Sequence, residues 1–201
     1  MIYLASRSPR RRELLSQIGV RFEPLMFREG SRQEADTDEA PLAGEQPGDY
    51  VRRVTLMKAE AAWQRVVRRR GLKRLPVLAA DTTVELAGEI LGKPQDRADA
   101  ARILGILSGT RHRVLTAVAI QFEGHVELAV SESLVTFATL EAARIAAYVA
   151  SGEPFDKAGA YGIQGRAGAF IERLEGSYTG VMGLPLYETA KLLTLFGVTV
   201  P

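Results

Sequence analysis

The sequence contains no cysteine. Disulfides, thiolate zinc sites, iron–sulfur clusters and a cysteine nucleophile are excluded together. Histidine is nearly absent, with His112 and His125 the only two. A cage of several imidazoles around a metal is therefore not available. Neither histidine has a serine or an acid placed to suggest a hydrolase triad. No run approaches 18 consecutive apolar residues, so nothing reads as a membrane span. The first residues, Met1-Ile-Tyr-Leu-Ala-Ser-Arg-Ser-Pro9, lack the basic start and long apolar run of a secretory signal. A cytoplasmic protein without a membrane partner is the expectation. A phosphate-binding loop ending in Gly-Lys-Ser/Thr and a dinucleotide Gly-x-Gly-x-x-Gly after a strand are also missing. Lysine is scarce, five of 26 basic residues. The arginine excess reads as compositional drift, and it makes the position of each lysine informative.

What is present suits a folded globular protein. The 201 residues are 46% hydrophobic and 25% charged, which argues against wholesale disorder and allows one large domain or two small lobes. A net charge of +2 hides a gradient. Residues 1–75 carry 16 basic and 10 acidic side chains, and residues 76–201 carry 10 basic and 14 acidic ones. The N-terminal third favours an anion such as a phosphate or a nucleic acid, unless its charge simply lies on a solvated helix face, as Arg68-Arg69-Arg70 suggest.

Patterning alternates helices and strands. Ile2–Ala5 reads as a buried strand, Ser8 as a helix cap followed by Pro9, and Gly19 as the end of that helix. Val20 and Phe22 begin a second strand. Pro47–Arg70 reads as a long helix. The apolar run Val77–Ala80 reads as a central strand, with Val84–Leu91 a hairpin turning near Gly88. Asp96 caps a helix through Leu107. Val114–Ile120 and Val126–Phe137 alternate as two long strands. A helix over 141–150, a glycine-rich stretch over 152–168, a strand over 170–174 and a last helix over 186–196 complete the chain. The class is α/β, with a mixed twisted central sheet flanked by helices.

Four segments could carry chemistry. In Ser6-Arg-Ser-Pro-Arg-Arg-Arg12 a strand gives way to a helix N-terminus, whose free N–H groups attract an anion. Arginines in a first turn oppose the helix dipole, and a phosphate chain gripped by Arg10 and Arg11 reverses that penalty. Asp81-Thr82-Thr83 follows the apolar Val77–Ala80 run. An acid there either binds a divalent metal, activates a water, or simply caps the next turn. Lys58 recurs with Val51, Val54 and Ala62 at helical spacing, so it either snorkels or points into a site. Lys93 sits in the rigid turn Gly92-Lys-Pro94. The glycine-rich loop brings Lys157 and Gln164, whose amide carries donor and acceptor together and can read a base edge. Glycines alone leave the structural-turn reading open. With no cysteine and no histidine triad, a reaction led by carboxylate, metal, lysine and arginine remains, and that combination suits phosphate chemistry.

Taken together, Ser6-Arg-Ser-Pro-Arg-Arg11, Lys58-Ala59, Ala80-Asp-Thr82, Gly92-Lys-Pro94, Asp156-Lys-Ala-Gly-Ala-Tyr-Gly-Ile-Gln-Gly165, Gly176-Ser-Tyr178 and Gly183-Leu-Pro185 resemble the Maf family of nucleoside triphosphate pyrophosphatases, in order and over essentially the whole chain. The resemblance implies a single domain of two lobes around a cleft, related in fold to the inosine triphosphatases. It implies hydrolysis of a nucleoside triphosphate to monophosphate and pyrophosphate with a divalent metal, Mg2+ or Mn2+. Asp81 then matches the proton acceptor. Arg10, Thr82 and Gln164 match positions of substrate choice. Arg11, Lys58 and Lys93 match the phosphate-facing basic set, with Ser8 beside them. A metal-binding carboxylate is implied in the loop after the second strand, where Glu29, Glu34, Asp36, Asp38 and Glu39 stand, and Glu39 is favoured beside Asp81. Gly180 stands where the family commonly has Asn, so no amide role is assigned there.

Tyr161-Gly-Ile-Gln-Gly165 resembles the branch acting on dTTP and UTP. The branch for 7-methyl-GTP typically carries an acid in place of the glutamine. Two competing readings are a purine-selective pyrophosphatase and a nucleotide-binding regulator of septum formation. No DNA-reading motif accompanies the basic third, and a stable nucleic-acid partner is not expected. A homodimer is left open.

Overall fold

The computed structural model describes residues 1–25 and 39–200. Seven strands form one mixed sheet: β1 (Ile2–Leu4), β2 (Phe22–Pro24), β3 (Val77–Leu86), β4 (Glu89–Leu91), β5 (Arg111–Phe122), β6 (His125–Phe137) and β7 (Ile171–Glu175). Their order is β2-β1-β3-β5-β6-β7, with β4 also on β3. The helices are α1 (Pro9–Gln17), α2 (Pro47–Arg68), α3 (Arg97–Leu107), α4 (Ala142–Ala150), α5 (Tyr178–Met182) and α6 (Leu186–Leu195).

Local chemistry accounts for the boundaries. Ser8 caps α1, its hydroxyl accepting from the Arg11 backbone N–H, and Pro9 opens the helix. Asp96 caps α3 through the Asp99 N–H. The β3–β4 hairpin turns on Ala87 and Gly88, both left-handed, which is the twist a two-residue hairpin requires. In α2, Asp49 in the first turn and Arg65 and Arg68 in the last complement the helix dipole.

β3 organises the molecule. One edge pairs with β5 without interruption from Val77 to Glu85. The opposite edge is divided. There β3 pairs in parallel with β1 up to Leu78, and antiparallel with β4 from Val84 onward. Between them, residues 79–83 have no strand partner on that edge among the described residues. Asp81 and Thr82 lie inside this gap. This corrects the expectation that the strand ends at Ala80 and that Asp81 follows it. The polar trio does not stop the strand, because β5 carries the ladder straight through it.

Successive side chains of β3 alternate between the faces. α2 packs on one face, burying Ala59, Ala62 and Trp63 against Val77, Ala79 and Ala119. The other face holds two separate clusters. Leu78, Ala80, Val118 and Ile120 pack with α1 and α6. Val84, Val114 and Val135 pack with α3, α4 and an edge-to-face aromatic group of Phe137, Tyr148, Tyr161 and Phe170. The row between them is hydroxylic: Thr82, Thr116 and Ser131 stand side by side across β3, β5 and β6.

Candidate active site

A cleft of about 330 Å3 opens at the gap in β3. Its walls bring together nine residues singled out from the sequence: Ser8, Arg10, Arg11, Glu39, Lys58, Asp81, Thr82, Lys93 and Gln164. A neighbouring cavity of about 540 Å3 shares Ser8, Arg10, Arg11, Lys58 and Lys93 with it and adds Ser6 and Arg7. Glu29, Glu34, Asp36 and Asp38 lie outside the described residues.

Lys58 leaves the buried stripe of α2 and reaches the sheet. Its ammonium donates to Asp81 Oδ1 at 2.7 Å and to Glu39 Oε2 at 2.9 Å. The Asp81 side chain is only 14% exposed, so this pair is enclosed enough to matter. Two carboxylates from distant parts of the chain thus meet at one cation. Tyr50, which the sequence reading missed, donates to the Glu39 carbonyl at 3.0 Å and holds that residue in place. Burial, followed by the charges of Asp81 and Glu39, pushes its phenol up to about 12, so it remains a donor at neutral pH.

Arg11 is anchored on the other face. Nε donates to the Gly183 carbonyl at 2.7 Å, Nη1 to Ser6 Oγ at 3.2 Å and Nη2 to Thr82 Oγ1 at 3.3 Å. Burial lowers its pKa and the Asp81 charge opposes that effect. Three bonds leave two of the five guanidinium N–H donors for a ligand.

Arg10 spans the cleft to Asp156 Oδ2 at 3.4 Å, and Lys157 donates to Asp156 Oδ1 at 2.5 Å. Burial raises the Asp156 carboxyl, and Lys157, Arg10 and a backbone hydrogen bond together outweigh it, so the acid stays below its ordinary range. Asp156 and Lys157 belong to the Asp156–Gly165 motif, and only folding places them opposite α1. Lys93 and Gln164 are exposed, and neither makes a hydrogen bond or ion pair to a described residue. Gln164 rides a glycine loop braced from behind by Glu153, whose carboxylate accepts from the Arg166 N–H at 3.2 Å and from the Tyr148 hydroxyl at 3.0 Å.

Among the described residues, no group of three or more Asp, Glu, His or Cys converges to hold a metal. Asp81 and Glu39 do converge on a single cationic point, and both offer hard oxygen donors. That fits Mg2+ or Mn2+, which take one or two carboxylates and complete their shell with water and substrate phosphates.

An acid on a strand gap, a set of cations and an amide therefore line one cleft. The chain is 59% identical over 196 residues to the dTTP/UTP pyrophosphatase of Dechloromonas aromatica (strain RCB), covering 98% of this chain and 97% of the relative. It is 56% identical over 199 residues to that of Nitrosomonas europaea, covering 99% and 96%. Among solved structures, the Ham1 protein of Staphylococcus aureus aligns with 68% of this chain and 71% of its own at 18% identity and a TM-score of 0.46, too remote a likeness to add to the fold or the site. The model of the Maf family, Maf-like protein, matches residues 1–196, and this chain belongs to that family.

Proposed function

We propose that this protein hydrolyses dTTP and UTP to the monophosphate and diphosphate, removing them from the cytoplasmic nucleotide pool. Identity of 56–59% over nearly the full length of curated dTTP/UTP pyrophosphatases supports the activity. The observation that carries the chemistry is the convergence of Arg10, Arg11, Lys58 and Lys93 around Asp81 in one cleft that ends at Gln164.

The reaction is attack of water at the α-phosphorus. The water oxygen bonds to that phosphorus as its bond to the bridging oxygen breaks, and pyrophosphate leaves. Asp81 orients the water and takes its proton. Lys58 fixes the aim of the Asp81 carboxylate. Arg10, Arg11 and Lys93 neutralise charge along the chain and on the leaving group. Arg10 exchanges Asp156 for phosphate when substrate enters. Asp81 and Glu39 would hold the divalent cation, which supplies further charge neutralisation to the triphosphate when bound.

Gln164 supports a pyrimidine. A neutral amide matches the donor and acceptor of a thymine or uracil edge, whereas a methylated, positively charged purine suits a carboxylate. Pyrophosphate release from dTTP, UTP, CTP and 7-methyl-GTP tests this reading. Highest kcat/KM with dTTP and UTP is expected, and a strong preference for 7-methyl-GTP would overturn it.

A further inference from the structure

We infer that Thr116 is a positioning residue for this site, acting through Thr82 on the aim of Arg11. Thr116 is buried, 1% exposed, and is not on the cleft wall. The inference rests on the reading that Arg11 grips the phosphates.

Counting hydrogens fixes the arrangement. Thr116 Oγ1 lies 2.7 Å from the Gly180 carbonyl and 3.0 Å from Thr82 Oγ1. A carbonyl only accepts, so the single hydroxyl hydrogen of Thr116 goes to Gly180, its nearer partner. The Thr82 hydrogen must then fill the Thr116–Thr82 contact. Arg11 only donates, and its Nη2 meets Thr82 Oγ1 at 3.3 Å. The chain therefore runs one way, from Arg11 to Thr82 to Thr116 to Gly180. With its hydrogen committed inward, Thr82 turns a lone pair toward the guanidinium.

Both ends of this chain rest on the same short segment. Gly180 accepts from Thr116, and Gly183 accepts from Arg11 Nε. Thr116 thus connects the aim of a phosphate-facing arginine to the hydroxyl row under α5. Without that hydroxyl, the Thr82 hydrogen has lost its acceptor and is free to turn toward Arg11, where it repels rather than accepts.

Thr116→Val keeps the shape and removes the hydroxyl. With dTTP, KM is expected to rise about tenfold, the scale of one hydrogen bond to a charged group, with kcat changed less than about twofold by the same argument. Thr116→Ser should restore KM. Thr82→Val should erase the effect, so that the double variant carrying Thr82→Val and Thr116→Val is no worse than Thr82→Val alone. If the Thr116→Val protein does not fold, Thr116→Ala carries the same test. An unchanged KM, no rescue by Ser, or full additivity with Thr82→Val overturns the inference. Arg11→Gln separates the two claims. If it leaves KM unchanged, the phosphate reading falls and the inference with it. If it raises KM while Thr116→Val does not, the inference alone fails.

Discussion

Asp81 and Thr82 are neighbours in the chain that serve opposite faces of the same sheet. Asp81 meets Lys58 of α2 on one side, and Thr82 meets Arg11 of α1 on the other. The interrupted edge of β3 leaves both beside one cleft. Both contacts are therefore tied to one strand, and a shift of that strand disturbs them together.

Asp81→Asn removes the proton acceptor and keeps the side-chain volume. Loss of a positioned base costs about 10²–10⁴-fold in turnover. Pyrophosphate release from dTTP should fall by at least the lower figure, with the melting temperature close to that of the parent. Turnover near the parental rate would remove Asp81 from its role.

Tyr50→Phe deletes the hydroxyl that holds the Glu39 carbonyl. Glu39 then loses its fixed position beside Lys58. A Mn2+ titration should show a several-fold higher metal concentration at half-maximal activity, on the scale of one neutral hydrogen bond, with turnover at saturating metal within about twofold. An unchanged metal requirement would mean that Glu39 is not a ligand.

Gly165→Ala places a methyl group into the Glu153 carboxylate. That carboxylate cannot simply swing away, because Tyr148 and the Arg166 N–H hold it. The loop carrying Gln164 must move instead, at a cost of about 1–3 kcal/mol. A rise in KM for dTTP and a lower melting temperature are expected together. Gly105→Ala, on α3 at a position with no atom within 4 Å of the added carbon, controls for replacing a glycine away from the site.

His112 should make the fold sensitive to mild acid. It is buried, 1% exposed, and bonds the Tyr161 hydroxyl through Nε2 at 2.8 Å. Burial pushes its pKa down to about 4, against about 6.5 in an unfolded chain. The unfolded state takes up a proton first as pH falls. Stability is therefore complete above about pH 6.5 and is lost progressively toward pH 4, by an amount of order 3 kcal/mol. Urea unfolding at pH 7 and pH 5 should show a fall in the parent that shrinks in His112→Gln. An equal fall in both would assign the acid sensitivity to other groups.

Much of this molecule is legible in its residues. Ser8-Pro9 and Asp96 announce their helices because capping is a local contact. The spacing of Lys58 with Val51 and Val54 already points it inward. The end of β3 is misread from sequence because an apolar run followed by Asp-Thr-Thr looks like a strand giving way to a turn. Only the long-range ladder to β5 shows that the strand continues. The five residues of α5 are too few for periodicity to reveal. The meeting of Glu39 with Lys58, the bridge from Arg10 to Asp156 and the brace of Glu153 behind Gln164 each join residues separated along the chain. Residue types suggest such partners, and tertiary structure alone pairs them.

The divided edge of β3 has one more consequence. An unpaired strand edge is a standing invitation to other chains, and proteins that keep long ones risk aggregation. Here the open stretch is five residues, closed at one end by β1 and at the other by β4. The carbonyls of Pro76 and Leu78 face β1, so by pleat alternation the polar backbone groups of Ala80 and Thr82 face the opening. A foreign strand finds too little length to dock among the described residues, while backbone groups without a strand partner line the floor of the cleft. The same interruption that opens the cleft also turns away a neighbouring chain.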